Sequence, residues 1–434
     1  MEFERAKSDI IEAMDEFRIV NHHEHLKDVL FKEQVLEIDL PFFFARGYVR
    51  SDLVSSGLPD SFLELSTVYE NFPANFSYLM EGRDEREKTW LKLEPYLNRV
   101  RNTTYYQYLL TALKDLYGYE TEEVKDGWRE LSERIRERSR GNPGWALKLL
   151  TEMGIYKVTL DIAGTGPPND KIVEDKMLEQ VVRMDGFITG EMNLIKAFRT
   201  EPVRDLEEYL ETLDEAFQKV VKAGAIGIKS GLAYQRRIEY KEVPRYKADK
   251  IITSGLMNVS SEDKRLFEDY MMHEICKRCA EYKLPFQIHT GIQAGNFNTI
   301  RNTDPTQITN LLQRYPDVNF DIFHGGYPYS REAGILAKYF PNAYIDGCWL
   351  THISPSSYKA ALNEWLEIVP ATKIFAWGGD HVIPEHTYAS LKHAKDLIAE
   401  VLASKVCDGS FSKKTALWAI ERIMGENAIE VYGY

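Results

Sequence analysis

The stretch Ile19–Leu26, IVNHHEHL, places three of the chain's ten histidines within four positions, just after a short apolar run. On a strand, residues two apart share a face. His23 and His25 can therefore aim at one ion, while Glu24 and His22 turn away, His22 in a supporting or structural role. Other short apolar runs also end on groups that can do chemistry: Lys229 in GAIGIKS, His289 in LPFQIHT, His324 in VNFDIFH and Asp380 in KIFAWGGD. Imidazole suits Zn, Fe, Ni or Mn, and a carboxylate such as Asp380 adds charge neutralisation and an acceptor for the proton of a bound water. A metal held this way lowers the pKa of its water from about 15.7 to about 7, and Asp380 can then take the proton.

Each of these residues has an ordinary use. A lone strand-end histidine is usually a satisfied structural one, a lone lysine a salt-bridge partner, and Asp380 could simply cap a turn. The joint order decides, because His-x-His, Lys, His, His and Asp fall at the first, fourth, fifth, sixth and eighth of eight expected strands.

Those strands are EFRIVN (16–21), GIYKVTLDI (154–162), DGFITG (185–190), GAIGIKS (224–230), LPFQIHT (284–290), VNFDIFH (318–324), NAYIDG (342–347) and KIFAWGGD (373–380). Most are short, rich in Ile, Val, Phe or Tyr and not strictly alternating, as parallel strands buried on both faces should be. Helical patterns separate them, such as VRDLEEYLETLDEAFQKVVKAG, closed by Gly224, and DPTQITNLLQRYP, opened by Asp304-Pro305. Eight strand–helix units predict an α/β chain folded as a (β/α)8 TIM barrel, whose C-terminal strand ends converge on one mouth. The expectation is one domain over 1–434, with a helical insertion after the first strand at 30–148, where aromatics recur at helical spacing in TTYYQYLLTALKDLYGY. At that face of the barrel the insertion can act as a lid or supply substrate contacts.

Composition excludes some partners. The formal net charge of -13 argues against nucleic acid or an anionic membrane surface. No apolar run approaches the roughly 20 residues of a membrane span. The charged, helix-like start MEFERAKSDIIEAMDEF lacks the pattern of a secretory signal. Cys276 and Cys279 form a CxxC inside a helical pattern, with no second CxxC, and read as two reduced thiols. A cytoplasmic setting is the default, with self-association left open.

The ordered set resembles the amidohydrolase superfamily of metal-dependent (β/α)8 enzymes. Within it, the chain is similar to the amidohydrolase-like half of nodulin/glutamine-synthetase-like fusion proteins, and more distantly to uronate isomerases and metal-dependent decarboxylases. The stretches that carry the likeness are VNHHEHL, GIKSGLAYQRR, LPFQIHTG, FHGGYPYSREAGILAKYFPNAYIDG and FAWGGDHVIPEHTY. One departure is Asn21, where the family often has Asp. The resemblance implies that His23, His25 and Asp380 bind a divalent metal, with zinc expected, and that His289 joins them in a one-metal site. His324 then acts as general acid/base or binds a substrate oxygen. The resemblance equally allows two ions bridged by a carboxylated Lys229; unmodified, Lys229 binds an anionic substrate group. Near the mouth, Tyr234, Arg236, Arg237, Tyr327, Arg331, His381, Glu385 and His386 are candidates for substrate selection, and an arginine facing the cavity could hold a carboxylate in two hydrogen bonds.

Three functions are open to a chain with this set. The first is a metal-dependent hydrolase acting on an amide-like or ester-like bond of a small molecule, one that could carry a carboxylate. The second keeps the centre and changes the chemistry to sugar-acid isomerisation or non-oxidative decarboxylation. The third is a degenerate binding module, whose mark would be a lost ligand; none is missing.

Overall fold

The computed structural model describes residues 2–434, apart from 27–29, 31–37, 60–82, 121–123, 125, 141, 143, 163–174, 192–194, 197, 200 and 257. Parts of the expected 30–148 insertion therefore lie outside the described residues. Eight strands are present: β1 (Ile19–Glu24), β2 (Ile155–Ile162), β3 (Leu178–Arg183), β4 (Gly227–Ser230), β5 (Phe286–Ile288), β6 (Phe320–Ile322), β7 (Ala343–Asp346) and β8 (Ile374–Phe375). They run parallel in sequence order, each paired with the next. This is a (β/α)8 barrel with helices inserted after β1.

The expected strand at 185–190 is corrected. Asp185–Thr189 form a short helix that ends at Gly190 with φ 73. The strand lies before it, in LEQVVR. Glu179, Gln180 and Arg183 break up its apolar character: Glu179 pairs with Lys157 of β2 at 2.5 Å, and Arg183 pairs with Asp161 of β2. A search for unbroken apolar runs passes over such a strand.

The closing seam between β8 and β1 is made beyond β8. The Asp380 N–H donates to His23 O at 3.0 Å, and the His25 N–H donates to His381 O at 2.9 Å. Gly379 is required in this seam, because a Cβ there would stand 1.7 Å from Glu24 Oε1. Buried aliphatic and aromatic side chains fill the space between strands and outer helices. Helix Leu206–Lys222 illustrates the construction: Asp205 caps its first turn, Leu206, Leu210, Leu213, Phe217 and Val220 face the core, and Gly224 follows it at φ 74.

The inserted helices, from Leu40–Arg46 to Trp145–Glu152, have their own core around Phe43, Phe44, Trp90, Leu113 and Leu131. Its polar anchor is Asp39, which is fully buried, caps Phe42 N and pairs with Arg86 and Arg136, each at 2.9 Å. The insertion docks on the barrel helix Pro384–Cys407: the Tyr108 and His393 rings stack at 3.8 Å, and Thr111 Oγ1 lies 2.9 Å from His393 Nε2. Among the described residues no helix is long and apolar enough to cross a membrane.

Candidate metal centre

Three of the expected residues meet at the seam. His23 Nε2 and His25 Nε2 lie 3.3 and 3.0 Å from the same oxygen, Asp380 Oδ1. Two strain-bearing positions shape the mouth: Asp380 and His324 both have φ 61, a left-handed conformation that costs a non-glycine residue about 1–3 kcal/mol. His324 Nε2 lies 3.9 Å from Asp380 Oδ2 and 3.1 Å from His289 Nδ1. Lys229, near the end of β4, is buried with no hydrogen-bond partner for Nζ among the described residues; Nζ sits 3.2 Å from the centre of the Phe323 ring.

The hydrogen bonds fix where the imidazole protons reside. Gln287 Nε2 donates to His22 O and to Tyr432 Oη, so Gln287 Oε1 faces His23 and accepts from Nδ1–H at 3.1 Å. His23 Nε2 is then a bare lone pair facing a carboxylate. His324 Nδ1 must donate to Cys348 O at 3.0 Å, and His289 Nε2 to Ile292 O at 3.0 Å. The two remaining nitrogens, His324 Nε2 and His289 Nδ1, therefore turn lone pairs toward each other. Lone pairs in such contacts need a proton or a cation between them. Burial, then the charge of Lys229, pushes His23 down to about 4. Burial likewise holds His324 at about 4 and His289 well below its ordinary value. The rings stay neutral, and the donor set fits a divalent cation. Burial also brings the Lys229 ammonium down to about 8.

His22 does not face outward. Between Asn21 and Glu24 the β1–β2 register slips by a residue, a bulge that breaks the alternation. His22 Nε2 turns inward to Asp346 Oδ2 of β7 at 3.0 Å. Asn21 is a keystone of the seam: its Nδ2 donates to Glu24 Oε1 at 2.8 Å and its Oδ1 accepts from the Gly379 N–H at 2.9 Å. An aspartate could accept but not donate here.

Of the candidate substrate residues, the structure brings His381 to the site and leaves two elsewhere. The His381 N–H donates to Glu24 Oε2 at 2.6 Å, and its ring stacks on His352 at 4.4 Å. Tyr327 is half-buried beside the loop after β6, packed so closely on Gly291 (φ 71) that a Cβ there would lie 2.5 Å from its backbone. Arg236 is buried and committed to Glu268 and Asp269. Arg331 is 83% exposed and pairs with Glu364.

Sequence reasoning did not single out Asp161. It lies near the end of β2, buried, with Oδ2 3.7 Å from His23 Nε2 and 4.0 Å from His25 Nδ1, and Arg183 grips both its oxygens. A carboxylate closing an apolar strand was the available signal. His352, on the short helix Leu350–Ile353, carried no such signal.

Fold and site together define a (β/α)8 barrel with a His/Asp cluster at its mouth that could hold a metal ion. Residues 199–434 match the Amidohydrolase family, and the chain belongs to it. Protein fluG of Emericella nidulans is 27% identical over 51% of this chain, which spans only 28% of that protein. Among solved structures, glucuronate isomerase from Caulobacter crescentus superposes with TM-score 0.80 at 16% identity, covering 100% of this chain and 94% of that one. Uronate isomerase from Thermotoga maritima gives 0.79 at 14% identity, covering 99% and 97%. At such identities the likeness speaks for the fold alone.

Proposed function

We propose that the chain is a metal-dependent hydrolase that cleaves an amide-like or ester-like bond of a small molecule. The observation that carries this reading is the convergence of His23 Nε2 and His25 Nε2 on one oxygen of Asp380, at 3.3 and 3.0 Å, with the His23 ring proton already committed to Gln287. In this reading His23, His25 and Asp380 hold one ion, taken to be zinc, and His289 joins through Nδ1. The ion supplies Lewis acidity and a water whose pKa falls to about 7. Asp380 receives the proton, and His324 Nε2, 3.9 Å from Asp380 Oδ2, is placed to pass it to the leaving group. The Lys229 Nζ on the face of Phe323 supports an unmodified ammonium over a carboxylated lysine bridging two ions. Arg236 and Arg331 are spent on other carboxylates, so neither is assigned to substrate. Four free cysteines, three of them buried, suit a reducing, cytoplasmic setting.

A second reading, a uronate-type isomerase or non-oxidative decarboxylase on the same centre, is favoured by one observation. The fold likeness to uronate isomerases runs through the insertion as well as the barrel, over 97% of the Thermotoga chain. Metal analysis of chelator-free protein, followed by a screen of aryl esters, acylated amino acids, aromatic acids and uronic acids, separates the readings. Metal-dependent release of product from an ester or amide is expected. Turnover of uronic acids alone would replace the hydrolase by the isomerase.

A further inference from the structure

Around the starts of β1 and β8, the chain after residue 421 packs across the barrel. A π-helical turn, Arg422–Glu426, leads into the helix Asn427–Tyr432. Ile423 O accepts the Ala376 N–H at 2.8 Å, and Asn427 Nδ2 donates to Ala371 O at 2.6 Å and to Ile374 O at 2.7 Å. Gly425 lies against the residue before β1, where a Cβ would collide with Arg18 O. The helix is thereby fixed against both strands, and it delivers the Tyr432 side chain, buried, into the barrel interior.

There the Tyr432 hydroxyl stands between register partners on adjacent strands, Gln287 of β5 and Asp321 of β6. Its oxygen lies 3.0 Å from Gln287 Nε2 and 2.5 Å from Asp321 Oδ2. The neighbours fix the direction of each bond. Gln287 Nε2 also donates to His22 O, a carbonyl that can only accept, so the amide nitrogen is the end that meets Tyr432. Tyr432 Oη therefore accepts from Gln287 and passes its own proton to Asp321 Oδ2. Gln287 Oε1 is left for the His23 Nδ1–H at 3.1 Å. Gln287, Asp321 and Tyr432 are all buried, so a bond lost among them is not replaced by bulk water.

We propose, on the reading that His23 Nε2 holds the ion, that Tyr432 is a positioning residue for His23 and acts through Gln287. Without the hydroxyl, one Gln287 N–H and Asp321 Oδ2 both lose their partner. As neighbours across the ladder they can satisfy each other, but only if the Gln287 amide swings toward Asp321 and withdraws from Nδ1. His23 then loses the acceptor that sets its tautomer and keeps the Nε2 lone pair bare. Loss of such a partner behind a metal-binding histidine costs about 10–100-fold in affinity.

The test compares wild type, Tyr432→Phe and the double variant Tyr432→Phe with Asp321→Leu. Nitrogen NMR of metal-free protein carrying isotope-labelled histidine reads the His23 tautomer, its signal identified by its loss in His23→Gln. Competition with a chelator reads zinc affinity. Wild type is expected to hold the His23 proton on Nδ1. Tyr432→Phe is expected to show mixed tautomers and about tenfold weaker zinc binding. In the double variant Gln287 has no rival acceptor and returns to His23, so most of the lost affinity should come back; a merely structural role predicts a further loss. A wild-type His23 protonated on Nε2 overturns the assignment with no variant needed. So does an unchanged tautomer in Tyr432→Phe, or a double variant that binds zinc more weakly than the single. Should the double variant fail to fold, the tautomer in Tyr432→Phe decides. Wild-type protein that binds no zinc sinks the metal-centre reading alone, because the tautomer is read without metal.

Discussion

Replacing Arg183 by Met should be among the most damaging single changes in the barrel interior. Its guanidinium meets Asp161 with Nε 3.0 and 3.1 Å from the two carboxylate oxygens and Nη2 2.5 Å from Oδ2. Asp161 is fully buried, and burial alone would raise its pKa; the charge of Arg183 instead holds it well below the ordinary value. Removing the cation leaves a buried carboxylate uncompensated, for which losses of about 3–5 kcal/mol are usual. Among the described residues the carboxylate then keeps His23 and His25, at 3.7 and 4.0 Å, and the nearby charge of Lys229. A double variant, Asp161→Leu with Arg183→Met, removes both charges together and should recover most of the loss, because a buried pair exchanged for apolar groups is often neutral. Urea unfolding of chelator-treated protein, followed by circular dichroism for the wild type, both single variants and the double variant, measures this coupling. A cost below about 1 kcal/mol for Arg183→Met, or a double variant less stable than the single, would refute the reasoning.

Four further outcomes are expected. Asp380→Asn should abolish metal-dependent turnover with the fold intact by circular dichroism; full activity would remove Asp380 from proton transfer. Lys229→Met should leave about one metal per chain by elemental analysis if the lysine is unmodified, whereas a drop from about two on substitution would establish the carboxylated bridge. Gly379→Ala should cost metal affinity and stability together, since its methyl would overlap Glu24 in the seam; a variant that binds metal normally would show the seam can shift. Glu385→Gln should change the pH dependence of stability. Burial raises Glu385 to about 6, so the folded state binds the extra proton, and this group's penalty grows as pH rises from about 4.5 and is complete above about 6. The glutamine variant should therefore gain about 2 kcal/mol at pH 8 and little at pH 4.5, read by thermal unfolding at both values.

The barrel was legible because parallel strands buried on both faces announce themselves as apolar runs, and the ordered polar residues at their ends needed only that topology to be gathered. What stayed hidden had specific causes. β3 carries Glu179, Gln180 and Arg183, whose partners on neighbouring elements cannot be seen from one chain segment. His22 was read from period-two alternation, which a bulge cancels without a local sequence mark. Arg236 and Arg331 follow site residues in sequence, but nearness along a loop says nothing about direction: one turns into Glu268 and Asp269, the other out to Glu364.

The seam also constrains the order of events during synthesis. His23 and Asp380 meet only when the first strand is joined by the last, with nearly the whole barrel made between them. On the proposed reading, a nascent chain released before β8 has His23, His25 and His289 but lacks the Asp380 carboxylate that completes their grip on a cation. If the proposed site holds an ion, its capture would report that the chain has reached its final strand and closed on itself, and the ion would clasp the β8–β1 junction, which among the described residues no strand ladder spans.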